Sequence, residues 1–360
     1  MYKSFKVSNF RCFQELTLND LERVNLITGL NNVGKTALLE AMFIHCGAYN
    51  PELTMRVNAF RGLETFKLEL GQWVETPWDT IFNNFDISKT VEIEGKDEAG
   101  DQRLLRLRVV RQPAELGKIP QSIQHGPDRP VRVPISTETA QILELEYKQK
   151  NRKGKHYLIF DPSGLRTEPI PPSPPFPAFF LAARVRQPLE KDAERFGKLD
   201  IEGQQDTLLK ALKVIEPRLR RLAIALPGGV PVIHGDIGLS KLVPLPVMGE
   251  GTARLASLVL AISNAPNGIV LVDEIENGLH YSILTRMWQA IGEAAKQFNT
   301  QVFSTTHSLE CIVAAHKAFT ESGHYDFRVH RLERVKETIQ AVTYDQESLA
   351  ATIETNLEVR

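Results

Sequence analysis

Residues 29–36 read Gly29-Leu30-Asn31-Asn32-Val33-Gly34-Lys35-Thr36, and this stretch decides the fold. It matches G-x-x-x-x-G-K-[ST], the loop that wraps a polyphosphate. Such a ligand needs many N–H donors pointing inward, and a glycine-rich backbone can curl tightly enough to present them. In this pattern the lysine, Lys35, reaches the β- and γ-phosphates, and the Thr36 hydroxyl is a ligand for Mg²⁺. The flanks agree. Val24-Asn25-Leu26-Ile27-Thr28 is a short strand before the loop. Ala37-Leu38-Leu39-Glu40-Ala41-Met42 is a helix former after it, so a helix N-terminus faces the phosphates.

Composition sets the bounds. The chain has 360 residues, enough for one large domain or two ordinary ones. Apolar content of 42% and charged content of 24% are those of an ordinary globular protein. Lys and Arg total 43 against 44 Asp and Glu, so a nucleic-acid contact would need a local basic patch. Cys12, Cys46 and Cys311 are scattered and show neither a disulfide framework nor zinc-ligand spacing, which fits a reducing compartment. The N-terminal residues lack a signal-peptide core, and apolar runs such as Leu258–Ile262 are too short to span a bilayer. A cytoplasmic location with no membrane role is expected.

Outward from the loop, 2–7 and 15–18 alternate apolar and polar residues and are expected to be strands, and 36–46 a helix. Residues 50–85, with Trp73 and Trp78, fit no element clearly. The runs 91–94, 105–109, 142–147 and 157–160 predict an antiparallel sheet with one wet face, interrupted by a loop over 113–137. Glu168–Pro177 is a stiff, proline-rich connector. Ala178–Ala182 is apolar throughout, like a buried parallel strand. Leu208, Leu212, Ile215, Leu219 and Leu222 predict a helical segment over 204–226, kinked or split at Pro217, with Lys210, Lys213, Arg218, Arg220 and Arg221 on its far side. That basic face is either a solvated surface or a contact for nucleic acid or an acidic partner. From 252 onward helix and strand alternate: helix 252–264, strand 269–273, helix 279–297, strand 301–306, helix 308–320, then a hairpin and helix 345–356. This alternation predicts a parallel sheet covered by helices.

The chemistry gathers at the strand ends. Ile269-Val270-Leu271-Val272 delivers Asp273 and Glu274. An apolar strand ending in Asp is how a P-loop protein holds Mg²⁺, and the next carboxylate, Glu274, is placed to orient and deprotonate an attacking water. Gly249-Glu250-Gly251-Thr252 opens a helix with free N–H groups, a second anion-facing turn. His307 ends the following apolar strand, which should lie beside the Asp273 strand and turn the imidazole toward the γ-phosphate.

This order of P-loop, helix-start glycine turn, acidic strand and histidine resembles the ABC-type ATPase superfamily. Asn31-Asn32, Asn9-Phe10-Arg11, Asp273-Glu274-Ile275-Glu276-Asn277-Gly278-Leu279-His280 and Thr305-Thr306-His307-Ser308 look unlike transporters. They are similar to the RecF, SMC and OLD branch, in particular the stand-alone AAA_15 or AAA_21 ATPases. The resemblance implies an α/β P-loop NTPase of ABC-ATPase type, with a mixed central sheet, an antiparallel β subdomain and a helical lobe. It implies one ABC-type domain over 1–360: a β-rich insert and connector at 86–177, a helical lobe at 185–228, and a signature, Walker B and switch-histidine half at 229–360. It implies nucleotide contacts from Arg11, Gly29, Asn31, Asn32, Val33, Gly34, Lys35, Thr36 and Ala37. Gly249, Glu250, Gly251 and Thr252 would be the signature, Glu276–His280 the loop after the acidic strand, and His307 the switch histidine. Thr36 and Asp273 would hold Mg²⁺, and Lys35, Glu274 and His307 would carry catalysis.

Departures accompany the resemblance. The signature position that holds a serine in the family is Gly249 here, so contact in trans would rest on backbone N–H groups. No glutamine of a Q-loop is assigned, and no heptad run predicts SMC arms. The expected chain has no room after His307 for the TOPRIM nuclease of OLD proteins, so a separate effector of that type is the expected partner if DNA is cut. The expectation is an ATP- and Mg²⁺-dependent ATPase that forms a homodimer around ATP. It would act with DNA or a partner effector, as in phage-defence operons. A RecF-like DNA-binding ATPase and a regulatory scaffold with little turnover are the alternatives.

Overall fold

The computed structural model describes residues 1–63, 76, 78–110, 123–125, 130–132, 140–150, 152–161, 164–185 and 187–355. The chain opens with the hairpin β1 (Tyr2–Phe10) and β2 (Phe13–Leu18) and passes through β3 (Val24–Thr28) into the P-loop and α1 (Lys35–Cys46). A short α2 (Leu53–Ala59) follows, then β4 (Val91–Asp97), β5 (Gln102–Val110), β6 (Ile123–His125), β7 (Pro130–Arg132), β8 (Gln141–Gln149), β9 (Arg152–Asp161) and β10 (Gly164–Glu168). Next come β11 (Ala178–Leu181), α3 (Leu189–Ile201), α4 (Gln205–Leu212), β12 (Arg221–Ala225), β13 (Val232–Asp236) and β14 (Val243–Pro244). The second half holds α5 (Glu250–Ser263), β15 (Ile269–Val272), α6 (Leu284–Gln297), β16 (Gln301–Thr305), α7 (Leu309–Glu321), β17 (Phe327–Val335), β18 (Thr338–Tyr344) and α8 (Gln346–Glu354).

Two sheets organise these elements. The central one runs β11-β15-β16-β3-β17-β18, parallel apart from the final antiparallel strand. Its inner strands β15, β16 and β3 are buried at every residue because both faces are covered. Val24, Leu26, Val270, Val272 and Val302 face a core shared with the helices of the second half. Ile27, Ile269, Leu271 and Phe303 face the other way, toward α1 and the antiparallel sheet. That second sheet runs β10-β9-β8-β5-β4-β1-β2, so β1 and β2 join strands from 91–168 in one surface. Its inner face supplies Phe5, Val7, Ile93, Leu105, Leu107, Leu145 and Leu158 to the core. Its outer face is a ladder of ion pairs: Lys6–Glu15 at 2.9 Å, Arg106–Glu92 at 2.7 Å and Arg108–Glu144 at 2.8 Å. This is the wet face the alternation predicts; the exposed Lys6–Glu15 and Arg106–Glu92 pairs contribute at most about 1 kcal/mol each, while Glu144 is buried beneath its partners.

Helix α1 lies between the sheets. Leu38, Leu39, Ala41, Met42, Ile44 and Cys46 are all fully buried, which a helix allows only when it is covered all round. Sandwiching pins the helix, and with it the loop at its start.

The region before the signature turn departs from expectation. The segment over 204–226 is not helical throughout. Helix α4 stops at Leu212, a turn carries Pro217, and Arg221–Ala225 pairs with Val232–Asp236 as an antiparallel strand. The leucine spacing was real, since Leu208, Leu212 and Leu219 are buried, but the helix holds the first two and the turn after it the third, while Leu222 is half-buried in the strand. The expected basic face is therefore dispersed. Lys210 and Lys213 belong to α4 and its cap, Arg218 pairs with Glu216 at 2.9 Å, and Arg221 reaches Asp236 at 3.8 Å. The helix expected from 279 starts as a single 3₁₀ turn at Tyr281–Ile283 before α6. Residues 50–63 supply α2, and Trp78 is fully buried, while Trp73 and most of the expected 113–137 loop lie outside the described residues. No helix among the described residues is long and apolar enough to cross a membrane.

Candidate nucleotide site

Parallel strands put their C-terminal ends along one edge, and ligands of open α/β sheets bind at that edge. Here β15, β16 and β3 are neighbours, so the acidic pair, the histidine segment and the P-loop arrive side by side.

The P-loop backbone takes the shape the motif requires. Gly29 has φ 131° and Gly34 φ 94°, in the region that favours glycine, and a Cβ on Gly29 would stand 2.3 Å from the Leu332 carbonyl oxygen. Asn32 is also left-handed at φ 61°, which asparagine tolerates better than most residues. Gly34 is the N-cap of α1 and offers no side-chain acceptor, which leaves the first N–H groups of the helix for an anion. Val33 and Ala37 are buried beneath the loop, while Leu30 is exposed.

Lys35 is folded back on its own loop, its Nζ donating to the carbonyls of Gly29 at 2.6 Å and Leu30 at 2.9 Å. Burial lowers its pKa from 10.5 to about 8, against the pull of Asp273, Glu274 and Glu276. The Thr36 hydroxyl lies 3.1 and 3.2 Å from the two carboxylate oxygens of Asp273, and Thr305 donates to Asp273 at 2.7 Å. Two hard oxygen ligands thus stand together at the helix start. Among the described residues no cluster of three or more His, Cys, Asp or Glu forms a metal cage. That donor set fits Mg²⁺, which takes one or two protein oxygens and completes its shell with phosphate and water.

Glu274 stands beside this pair. Its backbone is left-handed at φ 49°, and its N–H donates to the Thr305 hydroxyl at 2.8 Å. Asn277 donates to Oε2 at 2.6 Å, and Oε1 lies 3.8 Å from His307 Nε2. The Glu274 and His307 side chains are both about 40% exposed, open to a water molecule. His307 is held through its main chain: its N–H and the Thr306 hydroxyl both donate to Glu276 Oε1, at 3.0 and 2.7 Å.

Arg11 is placed differently from a free nucleotide contact. Its Nε lies 2.6 Å from Glu40, and its Nη2 donates to Asn58 at 3.1 Å. Glu40 is wholly buried on α1 and is also clamped by Arg61 at 2.6 and 3.0 Å. A buried carboxylate needs such partners, and two arginines for one carboxylate leave net positive charge beside Thr36. Arg61 and Arg184 line an open cavity of about 540 Å³ with Thr36, Asp273, Glu274 and Asn277. No motif flags either arginine; only the fold brings them here. Glu276, Asn277 and Thr305 sit inside recognisable runs, but their partners become visible only in three dimensions.

The glycine turn is built differently. Gly249 is the N-cap of α5 at φ 129°, with nothing within 4 Å of where a Cβ would stand. A Cβ on Gly251 would stand 3.0 Å from the Gly278 carbonyl oxygen, Glu250 packs near Gly278, and Thr252 is buried. The turn therefore rests against the loop that follows the acidic pair.

Comparison with known proteins agrees with this geometry. The family model described as "AAA domain, putative AbiEii toxin, Type IV TA system" matches residues 24–312. A Helicobacter pylori protein described as "ATP/GTP phosphatase" is 23% identical over 341 residues, covering 87% of this chain and 86% of the relative. An SMC head bound to the C-winged helix domain of ScpA superposes with a TM-score of 0.50 at 11% identity, over 97% of this chain and 99% of that one. That likeness shows the fold. The P-loop, the adjacent acidic strand and a family match over most of its length lead to one conclusion: the chain belongs to the AAA_21 family and is a P-loop ATPase of the AAA type, with a fold like that of an SMC head.

Proposed function

We propose that two copies of this chain close around ATP and hydrolyse it, and that the cycle drives or senses a partner-effector process. One observation carries this reading. The P-loop, Asp273, Glu274 and His307 converge at one strand edge, whereas a Cβ on Gly249, at the start of α5, would meet nothing of this chain within 4 Å. An anion-facing helix start without an anion-binding surround of its own is half of a site, and a second copy supplies the other half.

In this reading the loop N–H groups and the start of α1 grip the phosphates. Lys35 leaves the carbonyls of Gly29 and Leu30 for the β- and γ-phosphates. Thr36 and Asp273 would hold Mg²⁺, which supplies charge neutralisation at the phosphates. Glu274 Oε1, the oxygen not bound by Asn277, takes a proton from the attacking water, and His307 stands 3.8 Å away to orient it. Arg61 and Arg184 line the same cavity, and their positive charge suits a ligand bearing phosphate.

The relative described as an ATP/GTP phosphatase supports turnover over a purely structural nucleotide. The family's description, naming a putative AbiEii toxin of a type IV TA system, supports a role of the phage-defence or toxin–antitoxin kind. Direct DNA binding loses its best local argument with the dispersed basic helix face. A separate protein effector, a TOPRIM-type nuclease among the candidates, is accordingly favoured over DNA as the immediate partner. ATPase rate measured against protein concentration, with light scattering and with and without duplex DNA, tests the reading. Turnover that rises with ATP-dependent dimer and ignores DNA supports it. Hydrolysis by a monomer at every concentration would remove it.

A further inference from the structure

Arg254 lies on the second turn of α5, one turn beyond the glycine turn and four residues after Glu250, so motif position alone would assign it to the signature. Its contacts point elsewhere. Nη2 donates to the Asp273 carbonyl at 3.0 Å and to the Glu274 carbonyl at 3.4 Å, both in its own chain. Its Nε is buried without an acceptor. The charged groups around it are Asp273, Glu274, Glu276 and Glu250, all acidic, and burial nonetheless pulls its pKa below the ordinary value.

The peptide it grips is an unusual one. Glu274 holds φ 49°, a conformation that costs a non-glycine residue roughly 1 kcal/mol or more and must be over-determined by its surroundings. Thr305 binds the N–H of Glu274 from one side, and Arg254 binds the carbonyls of Asp273 and Glu274 from the other. Removing one clamp leaves the Glu274 carboxylate free to swing away from the line between water and phosphate.

We propose that Arg254 is a positioning residue for Glu274 of its own chain, although it sits in the helix whose glycine turn serves the partner copy. The first half of this statement concerns one chain alone; the second rests on the two-copy reading above.

The test uses full-length protein with Arg254→Met, similar in length but without donors, and Arg254→Lys, which can reach one carbonyl. For Arg254→Met, kcat should fall about 10- to 100-fold, the scale of an ångström of misplacement, with ATP affinity and KM within about twofold of wild type. Arg254→Lys should recover part of the loss; it also carries the test should the methionine variant fail to unfold cooperatively. Mixing then assigns the residue to a site. Arg254→Met protein mixed with Gly251→Asp protein should regain turnover, because the Gly251→Asp chain keeps its own P-loop and acidic pair. Mixed with Lys35→Ala protein it should not, because the only intact P-loop then belongs to the chain with the loose Glu274. Wild-type kcat in Arg254→Met, a defect confined to KM, or rescue by Lys35→Ala protein would each overturn the proposal. If Lys35→Ala and Gly251→Asp proteins fail to rescue each other, the two-copy reading fails instead, and the split between kcat and KM alone decides the role of Arg254.

Discussion

Two helices of this chain begin with a glycine at positive φ and no capping side chain: α1 at Gly34 and α5 at Gly249. Their surroundings differ. Around Gly34 the chain supplies Lys35, folded onto the Gly29 and Leu30 carbonyls, and Thr36, Asp273 and Thr305 joined by hydrogen bonds, and a Cβ would strike Cys12 Sγ at 2.5 Å and the Phe13 ring at 2.7 Å. A Cβ on Gly249 would meet nothing within 4 Å. The same local device is thus finished in one place and unfinished in the other. A completed site can be read from one chain; the unfinished one is what the proposed second copy would complete.

The comparison can be broken most forcefully at the finished end. Lys35→Ala removes the one mobile cation of the loop and should weaken ATP binding about 10²- to 10³-fold, a loss of ~3–4 kcal/mol. Calorimetry giving wild-type affinity would remove the P-loop assignment. Glu274→Gln keeps size and the bond from Asn277 but loses the base. It should bind ATP normally and turn over roughly 10²–10⁴ times more slowly. Steady-state rates near wild type would show that another group accepts the proton.

A pH series sharpens the same end. In the free protein Lys35 loses its proton near pH 8, whereas a bound triphosphate favours the charged form. ATP affinity should be flat below about pH 8 and fall above it, by up to about tenfold per pH unit. Binding above pH 8 should also take up a proton, visible as a dependence of binding enthalpy on the buffer's ionisation heat. The folded pKa lies below the unfolded value of 10.5, so the unfolded chain holds more protons between about 8 and 10.5. The nucleotide-free protein should therefore gain stability as pH rises through that window. An affinity that does not change up to pH 9.5 would mean that Lys35 is not the titrating contact.

The smallest effect separates the two glycines directly. Alanine is strained at either φ, costing roughly 1–3 kcal/mol, but only Gly34→Ala also meets neighbouring atoms. Gly34→Ala should lower the unfolding temperature by several degrees more than Gly249→Ala, and only Gly34→Ala should impair ATP binding. Equal effects in both assays would mean that the turn at Gly249 is as enclosed as the P-loop.

Much of the finished site was legible because its signals are local. Eight consecutive residues encode the P-loop, and an apolar strand ending in Asp273-Glu274 needs no distant partner to be recognised. Continuous apolar runs at 178–182 and 269–272 marked the parallel sheet for the same reason, burial on both faces; 24–28 and 301–305 are just as buried but carry polar residues such as Asn25 and Ser304. Between β11 and the glycine turn the signal failed. Leucines at helical spacing from 208 to 222 fit a helix, a turn and a strand alike when tertiary packing supplies the burial; a split near Pro217 was legible, the strand that follows it was not. Arg11 was legible as a notable residue but not as a partner of Glu40, 29 positions away in sequence. Arg61, Arg184 and Arg254 owe their places to the fold alone.

The central claim is that the helix start at Gly249 completes a site on another copy, and one mixing experiment addresses it. Lys35→Ala protein keeps the glycine turn. Gly251→Asp protein keeps the P-loop but turns a carboxylate toward the triphosphate; its Cβ lies close to the Gly278 carbonyl, so its fold and ATP binding are verified first. Each alone should be inactive. Light scattering should show ATP-dependent dimers in the mixture, and the mixture should recover ATP hydrolysis, up to about half the wild-type rate per mixed dimer for independent sites. Mixed dimers that form without any turnover would contradict the account.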